Sequence, residues 1–95
     1  MREYEGLLLL PPNLDEEGIK NVINNTESII KEKGGKILSI NKWGKRRLAY
    51  KISKYSEGFY VLIKFLTPPS SLLFIKEQLN LLSRVLRYLI VRKSG

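Results

Sequence analysis

The chain has no cysteine and no histidine among its 95 residues. Without cysteine there are no disulfides, no thiol chemistry and no cysteine-based metal sites. Without histidine, the usual general base, the commonest metal ligand and the usual switch near neutral pH are missing. Both absences argue against most hydrolases; no enzyme activity, cofactor or metal is expected. The apolar run near the N-terminus is only four leucines long and follows two glutamates, unlike a secretory signal. No segment approaches the length needed to span a bilayer, so a cytoplasmic protein is expected. Acids are scarce in the second part of the chain. Residues 31–95 carry fifteen bases against three acids, whereas residues 1–30 carry two bases against six. A net charge of +8 spread so unevenly points to an anionic partner for the second part, and nucleic acid suits bases interleaved with aromatics.

What is present suits one small domain, residues 1–95, with a modest core. "REYEGLLLL", residues 2–10, alternates as a strand and is stopped by "PPN". Asp15 is placed to cap a helix whose stripe is Ile19, Val22, Ile23, Thr26, Ile29 and Ile30, ending at Gly34-Gly35. A long strand runs from Lys36 or Ile37 to about Ser53, with Gly44 the natural bulge. "KYSEG", residues 54–58, reads as a hairpin connection, and residues 59–66 as the next strand. After "TPPSS", Ser70 or Ser71 can cap a second helix to about Leu79 or Asn80. "VLRYLIVR", residues 85–92, is the last strand, and "KSG" a short tail. The order β-α-β-β-α-β is the ferredoxin-like α+β motif, a four-stranded antiparallel sheet with both helices on one face.

The other face should then be polar, but it is not written so. Leu7, Leu9, Tyr60, Leu62, Leu89 and Val91 fall on it, interrupted by Glu5, Lys64 and Arg87. A contiguous apolar patch of this kind marks a partner-protein surface, unless a bulge shifts the register.

Residues 42–54 hold six bases and no acid, interleaved with Trp43 and Tyr50 and followed by Tyr55. Arginine can grip phosphate through two parallel hydrogen bonds, lysine acts as a point charge, and aromatic rings stack on unpaired bases. By alternation Arg46, Leu48, Tyr50 and Ile52 share one face and Arg47, Ala49 and Lys51 the other, so no single basic stripe forms. The residues alone leave two readings open: phosphate contact, or a charged edge strand that deters aggregation. A second basic group comprises Arg84, Arg87, Arg92 and Lys93, and pairing of the first and last strands would bring Arg2 and Tyr4 near Arg87.

"GKRRLAYKIS", residues 44–53, resembles the motif of the bacterial small-subunit ribosomal protein S6 family: glycine, any residue, a base, a polar residue, leucine, a small residue, tyrosine, any residue, isoleucine and a small or polar residue. "MREYE", "PNLDEE", "EGFYVLIKF" and "VLRYLIVRK" resemble the same family, so the likeness covers essentially the whole chain. It implies a ferredoxin-like structural protein that binds the central domain of small-subunit ribosomal RNA together with the small basic ribosomal protein S18, whose seat would be the apolar face. It also implies RNA contacts at Arg2, Tyr50, Lys54 and Arg87, with Arg46, Arg47 and Arg92 as further candidates. Two departures matter. Gly6 stands where an apolar side chain is usual, so looser packing is expected there. Many members extend beyond the position of Gly95 and use that tail on the partner, so no tail contact is expected here. The alternative on the same fold is an RRM-like single-stranded RNA binder outside the ribosome. Tyr60 stands where that motif wants glycine or alanine. An enzyme on this fold would need a glycine-rich anion loop or a nucleophile–base pair, and neither is evident.

Overall fold

Two prolines follow Leu10, and neither can donate to a ladder, so β1 (Arg2–Leu10) ends there. The structure, a computed structural model, describes residues 1–93. The tail expected at Ser94 and Gly95 lies outside the described residues. Lys93, expected to belong to that tail, instead continues the pairing: its amide donates to the Glu3 carbonyl at 3.0 Å.

Helix α1 (Glu16–Glu32) begins as its sequence dictates. The Asp15 carboxylate accepts from the Gly18 amide at 2.8 Å, and Glu16 and Glu17 sit at the positive end of the dipole. It ends where Gly34 takes φ +82° and the Gly35 amide donates to the Ile30 carbonyl at 3.0 Å. All six residues of the expected stripe are buried, and the Thr26 hydroxyl donates to the Val22 carbonyl at 2.9 Å.

β2 (Lys36–Ile52) and β3 (Tyr55–Thr67) form a longer hairpin with a tighter turn than expected. The connection is Ser53-Lys54, not residues 54–58. Ser53 itself takes φ 55°, so Tyr55 already pairs with Ile52. A 3₁₀ turn (Pro69–Ser71) leads into α2 (Leu72–Asn80). Ser71 is buried there and its side chain makes no capping bond, contrary to the expected cap. β4 (Arg87–Arg92) starts later than expected, although the Leu86 amide already donates to the Leu9 carbonyl at 2.8 Å.

The sheet order is β2-β3-β1-β4, every pair antiparallel, which is the ferredoxin-like arrangement. Ile75 and Leu79 of α2 join the α1 stripe against Tyr4, Leu8, Leu10, Val61, Ile63 and Phe65, so both helices cover one face. Gly6 lies in that layer beside a small apolar cavity bounded by Thr26, Ile30, Phe65, Ile75 and Ile90. Gly6 is itself buried, so the space left by its missing side chain is small.

Candidate nucleic-acid and partner interface

β1 runs out opposite Phe59, so beyond that point β2 and β3 continue as a two-stranded ribbon. Ribbons twist more strongly than wide sheets, and bulges bend them further. The ribbon has both. The register slips between Lys42 and Gly44, just before the ribbon begins, where Gly44 takes φ +89°, as the glycine break in the sequence requires. It slips again between Arg47 and Ile52, where residues 48–51 stand against Ser56 alone. β2 and β4 are opposite edges of the sheet. The bent tip nonetheless brings Tyr50 to β4, with the Arg87 guanidinium 6.0 Å from its ring centroid.

The tip is strongly basic, with Glu57, opposite Arg47, as its one acid. Among the described residues, none of Arg46, Arg47, Lys51, Lys54 and Arg87 lies within ion-pair distance of an acid. Arg46 Nη1 donates only to the neighbouring Lys45 carbonyl at 3.0 Å, and Lys54 Nζ sits 5.8 Å from the Tyr55 ring centroid. Leu48 and Ile52 are half-buried, so they anchor the strand while its cations point to solvent.

The face away from the helices is built in cross-strand rows. Leu7 stands opposite both Leu62 and Leu89, Leu9 opposite Tyr60 and Arg87, and Glu5 opposite Lys64 and Val91. The Trp43 ring lies 6.3 Å from that of Tyr60, tilted by 49°. Leu89 is 60% exposed and Val91 44%, yet Leu9 is only 3% exposed. The bent tip explains the difference. Tyr50 and Ile52 reach over this end of the face and, with Leu7, Leu9, Tyr60, Arg87, Tyr88 and Leu89, line a groove of about 280 Å³. The face is therefore open at Leu89 and Val91, half-buried at Leu7, Leu62 and Tyr60, and closed at Leu9.

A family model described as "Ribosomal protein S6" matches residues 3–92. This chain belongs to the bacterial small-subunit ribosomal protein S6 family. Small ribosomal subunit protein bS6 of Heliobacterium modesticaldum is 38% identical over 94 residues, covering 99% of this chain and 98% of that protein. The bS6 protein of Caldanaerobacter subterraneus subsp. tengcongensis is 44% identical over 92 residues, covering 97% of each chain. The crystal structure of 30S ribosomal protein S6 from Thermotoga maritima superposes with a TM-score of 0.89 at 30% identity, covering 97% of this chain and 87% of that one.

In this S6-family chain the candidate RNA residues divide into two groups. Arg46, Arg47, Tyr50, Lys54 and Arg87 gather at the hairpin end of the sheet. Arg2 and Arg92 do not join them. The expectation that Arg2 lies near Arg87 is corrected by the register, which sets Arg87 opposite Leu9 and Arg92 opposite Tyr4. From Leu9 back to Arg2 is about 23 Å of strand. Directly paired residues also share a face, so Arg92 follows Tyr4, and Arg2 follows buried Thr67, to the helical side. Tyr4 is core, stacked on Phe65 at 5.8 Å. Trp43 belongs to the exposed face but was not among the residues assigned to it from sequence. Strict alternation fails at the Gly44 bulge, and that glycine was the available signal. Among the described residues no helix is long and apolar enough to cross a membrane.

Proposed function

We infer that this chain is a structural component of the bacterial small ribosomal subunit in the cytoplasm. In this reading it binds the central domain of small-subunit ribosomal RNA together with ribosomal protein S18. The observation that carries the reading is membership of the S6 family over residues 3–92. The geometry supports it. Arg87 lies beside Tyr50 at one end of the sheet, and Tyr50 shares the hairpin tip with Arg46, Arg47 and Lys54, next to an apolar face whose Leu89 and Val91 remain exposed. Arg46, Arg47, Lys54 and Arg87 would hold phosphates, and Tyr50 would stack or pack against the RNA. Leu7, Leu62, Leu89 and Val91 would receive the protein partner, with Leu9 and Tyr60 at the roofed margin. Arg2 and Arg92 would meet RNA only where it wraps the far end of the sheet.

The test is a gel shift with a central-domain RNA fragment, with and without S18, over a range of salt. Binding should be tighter with S18 present. It should also weaken steeply as salt rises, because each neutralised phosphate releases counterions. Equal affinity for an unrelated RNA of the same length, with S18 present, would count decisively against the reading.

A further inference from the structure

Arg84 precedes Arg87 by three residues but serves the opposite side of the molecule. Arg87 lines the groove on the open face, whereas Arg84 lies against α1. Its Nη1 comes within 3.4 Å of the point that a Cβ on Gly18 would occupy, so the missing side chain of Gly18 makes room for it. A cleft of about 350 Å³ runs here between α1 and the α2–β4 connection. Asn21, Asn24 and Asn25 of α1 line one wall, and Ser83 and Arg84 the other.

The polar groups of this lining are three amides, a hydroxyl and a guanidinium; Val22 and Leu82 complete it. Among the described residues, none of the five exposed side chains hydrogen-bonds to the protein, and Arg84 makes no ion pair, although the Asp15 carboxylate borders the same space beside Gly18. Asparagine is a poor interior helix residue, because its amide favours non-helical bonds to nearby backbone. Three of them at 21, 24 and 25 occupy one flank of α1 and weaken it without any internal bond in return. An amide both donates and accepts, which suits phosphate oxygens and the 2′-hydroxyl alike; the guanidinium suits phosphate.

We propose that this cleft is a second RNA-backbone site on the helical side, gripping a sugar–phosphate strand separate from the one at the hairpin tip. The inference rests on the RNA-binding reading above. Arg87 faces the open side of the sheet and Arg84 faces α1, so each can hold its own strand and the chain becomes a spacer between two RNA segments.

The test is affinity for the central-domain fragment in the presence of S18, measured against salt for the full chain and three variants. Arg84→Gln should lose roughly two- to fivefold in affinity, the scale of an exposed charge contact, and the salt slope should shrink by about one. Asn21→Ala/Asn25→Ala should also bind more weakly, at an unchanged salt slope, because no charge is lost. Its helix propensity rises, so circular dichroism should show α1 intact. Arg87→Gln is the control at the other site. If Arg87→Gln weakens binding while the other two variants bind as wild type, the cleft is empty and the ribosomal reading survives alone. If the unaltered chain does not bind, that reading fails and the inference with it. The side-chain amide resonances of Asn21 and Asn25 should shift on adding the RNA. A shift with an acidic peptide but not with the RNA would make the cleft a protein site and overturn the proposal.

Discussion

Gly6→Ala should stabilise this protein, against the usual direction for a buried substitution. Gly6 lies inside β1, opposite Ile63 and Ile90 and facing the helices. Among the described glycines only Gly34 and Gly44 take positive φ, so alanine at 6 meets no backbone penalty. The added Cβ would lie 3.5 Å from Phe65 Cε1, 3.8 Å from Ile90 Cγ1 and 3.9 Å from the Ile63 carbonyl oxygen, all ordinary contact distances. It would project toward the small cavity beside Thr26, Ile30 and Ile75. Burying one methyl group contributes about 0.8 kcal/mol. Restricting the unfolded chain contributes a further ~0.4–1 kcal/mol. The sum, roughly 1–2 kcal/mol, corresponds to a rise in Tm of about 5–12 °C for a domain of this size. Thermal melting by circular dichroism and urea titration with an unchanged m-value would read it. Gly6→Val brackets the effect, because its extra methyls must displace Phe65 or Ile90 and overpacking costs about 1–3 kcal/mol. A fall in Tm for the alanine variant would show that this layer is already full and would refute the reasoning.

Three further outcomes are expected. Thr67 is fully buried with no hydrogen-bond partner for its hydroxyl, so Thr67→Val should gain about 1 kcal/mol in urea denaturation. Gly35→Ala should cost roughly 2–4 kcal/mol by the same assay, because its Cβ would lie 2.6 Å from the Ile30 carbonyl oxygen and 2.9 Å from that of Leu66, neither of which can move cheaply. Lys54→Ala and Arg87→Ala should each weaken binding to the central-domain RNA and flatten its salt slope by about one, with thermal melts unchanged. An unfolded variant would show that the residue is structural.

Most of the fold was legible because the strongest local signals agree with the tertiary arrangement. The α1 stripe, its Asp15 cap and the Gly34-Gly35 stop each depend on near neighbours, and each appears where expected. The cross-strand row of Leu7, Leu62 and Leu89 on the face away from the helices was legible because strand alternation alone sets it. The misreadings have physical causes. "KYSEG" carries the usual turn residues, but the turn is made one residue earlier by Ser53 in a left-handed conformation, which a non-glycine residue does not announce. The pairing of β1 with β4 was read correctly, but not its register. Nothing local to either strand sets Arg92 rather than Arg87 beside Tyr4. The approach of Tyr50 to Arg87 was beyond reach, because it depends on the bend accumulated over two irregularities, one just before the ribbon and one within it. Leu9 was assigned to an open face and is buried for the same reason.

The charge distribution bears on how such a surface could select its partner. An apolar face as exposed as that around Leu89 and Val91 attracts hydrophobic surfaces in general, and shape alone discriminates poorly among them. A rim of Arg46, Arg47, Lys51, Lys54 and Arg87, faced only by Glu57 across from Arg47 and without an ion pair among the described residues, adds a repulsive term against any cationic partner, including a second copy of this chain. On the proposed reading the protein partner is itself small and basic, so the two proteins alone must meet against that repulsion. RNA removes it, because phosphates on the hairpin tip neutralise the rim. The apolar contact then gains stability only when the anionic strand is in place. Thermodynamic linkage makes the effect reciprocal: whatever factor RNA adds to the affinity for the protein partner, the partner adds to the affinity for RNA. The stronger RNA binding expected with S18 would thus follow from a basic rim placed against an apolar face, without any change in the fold.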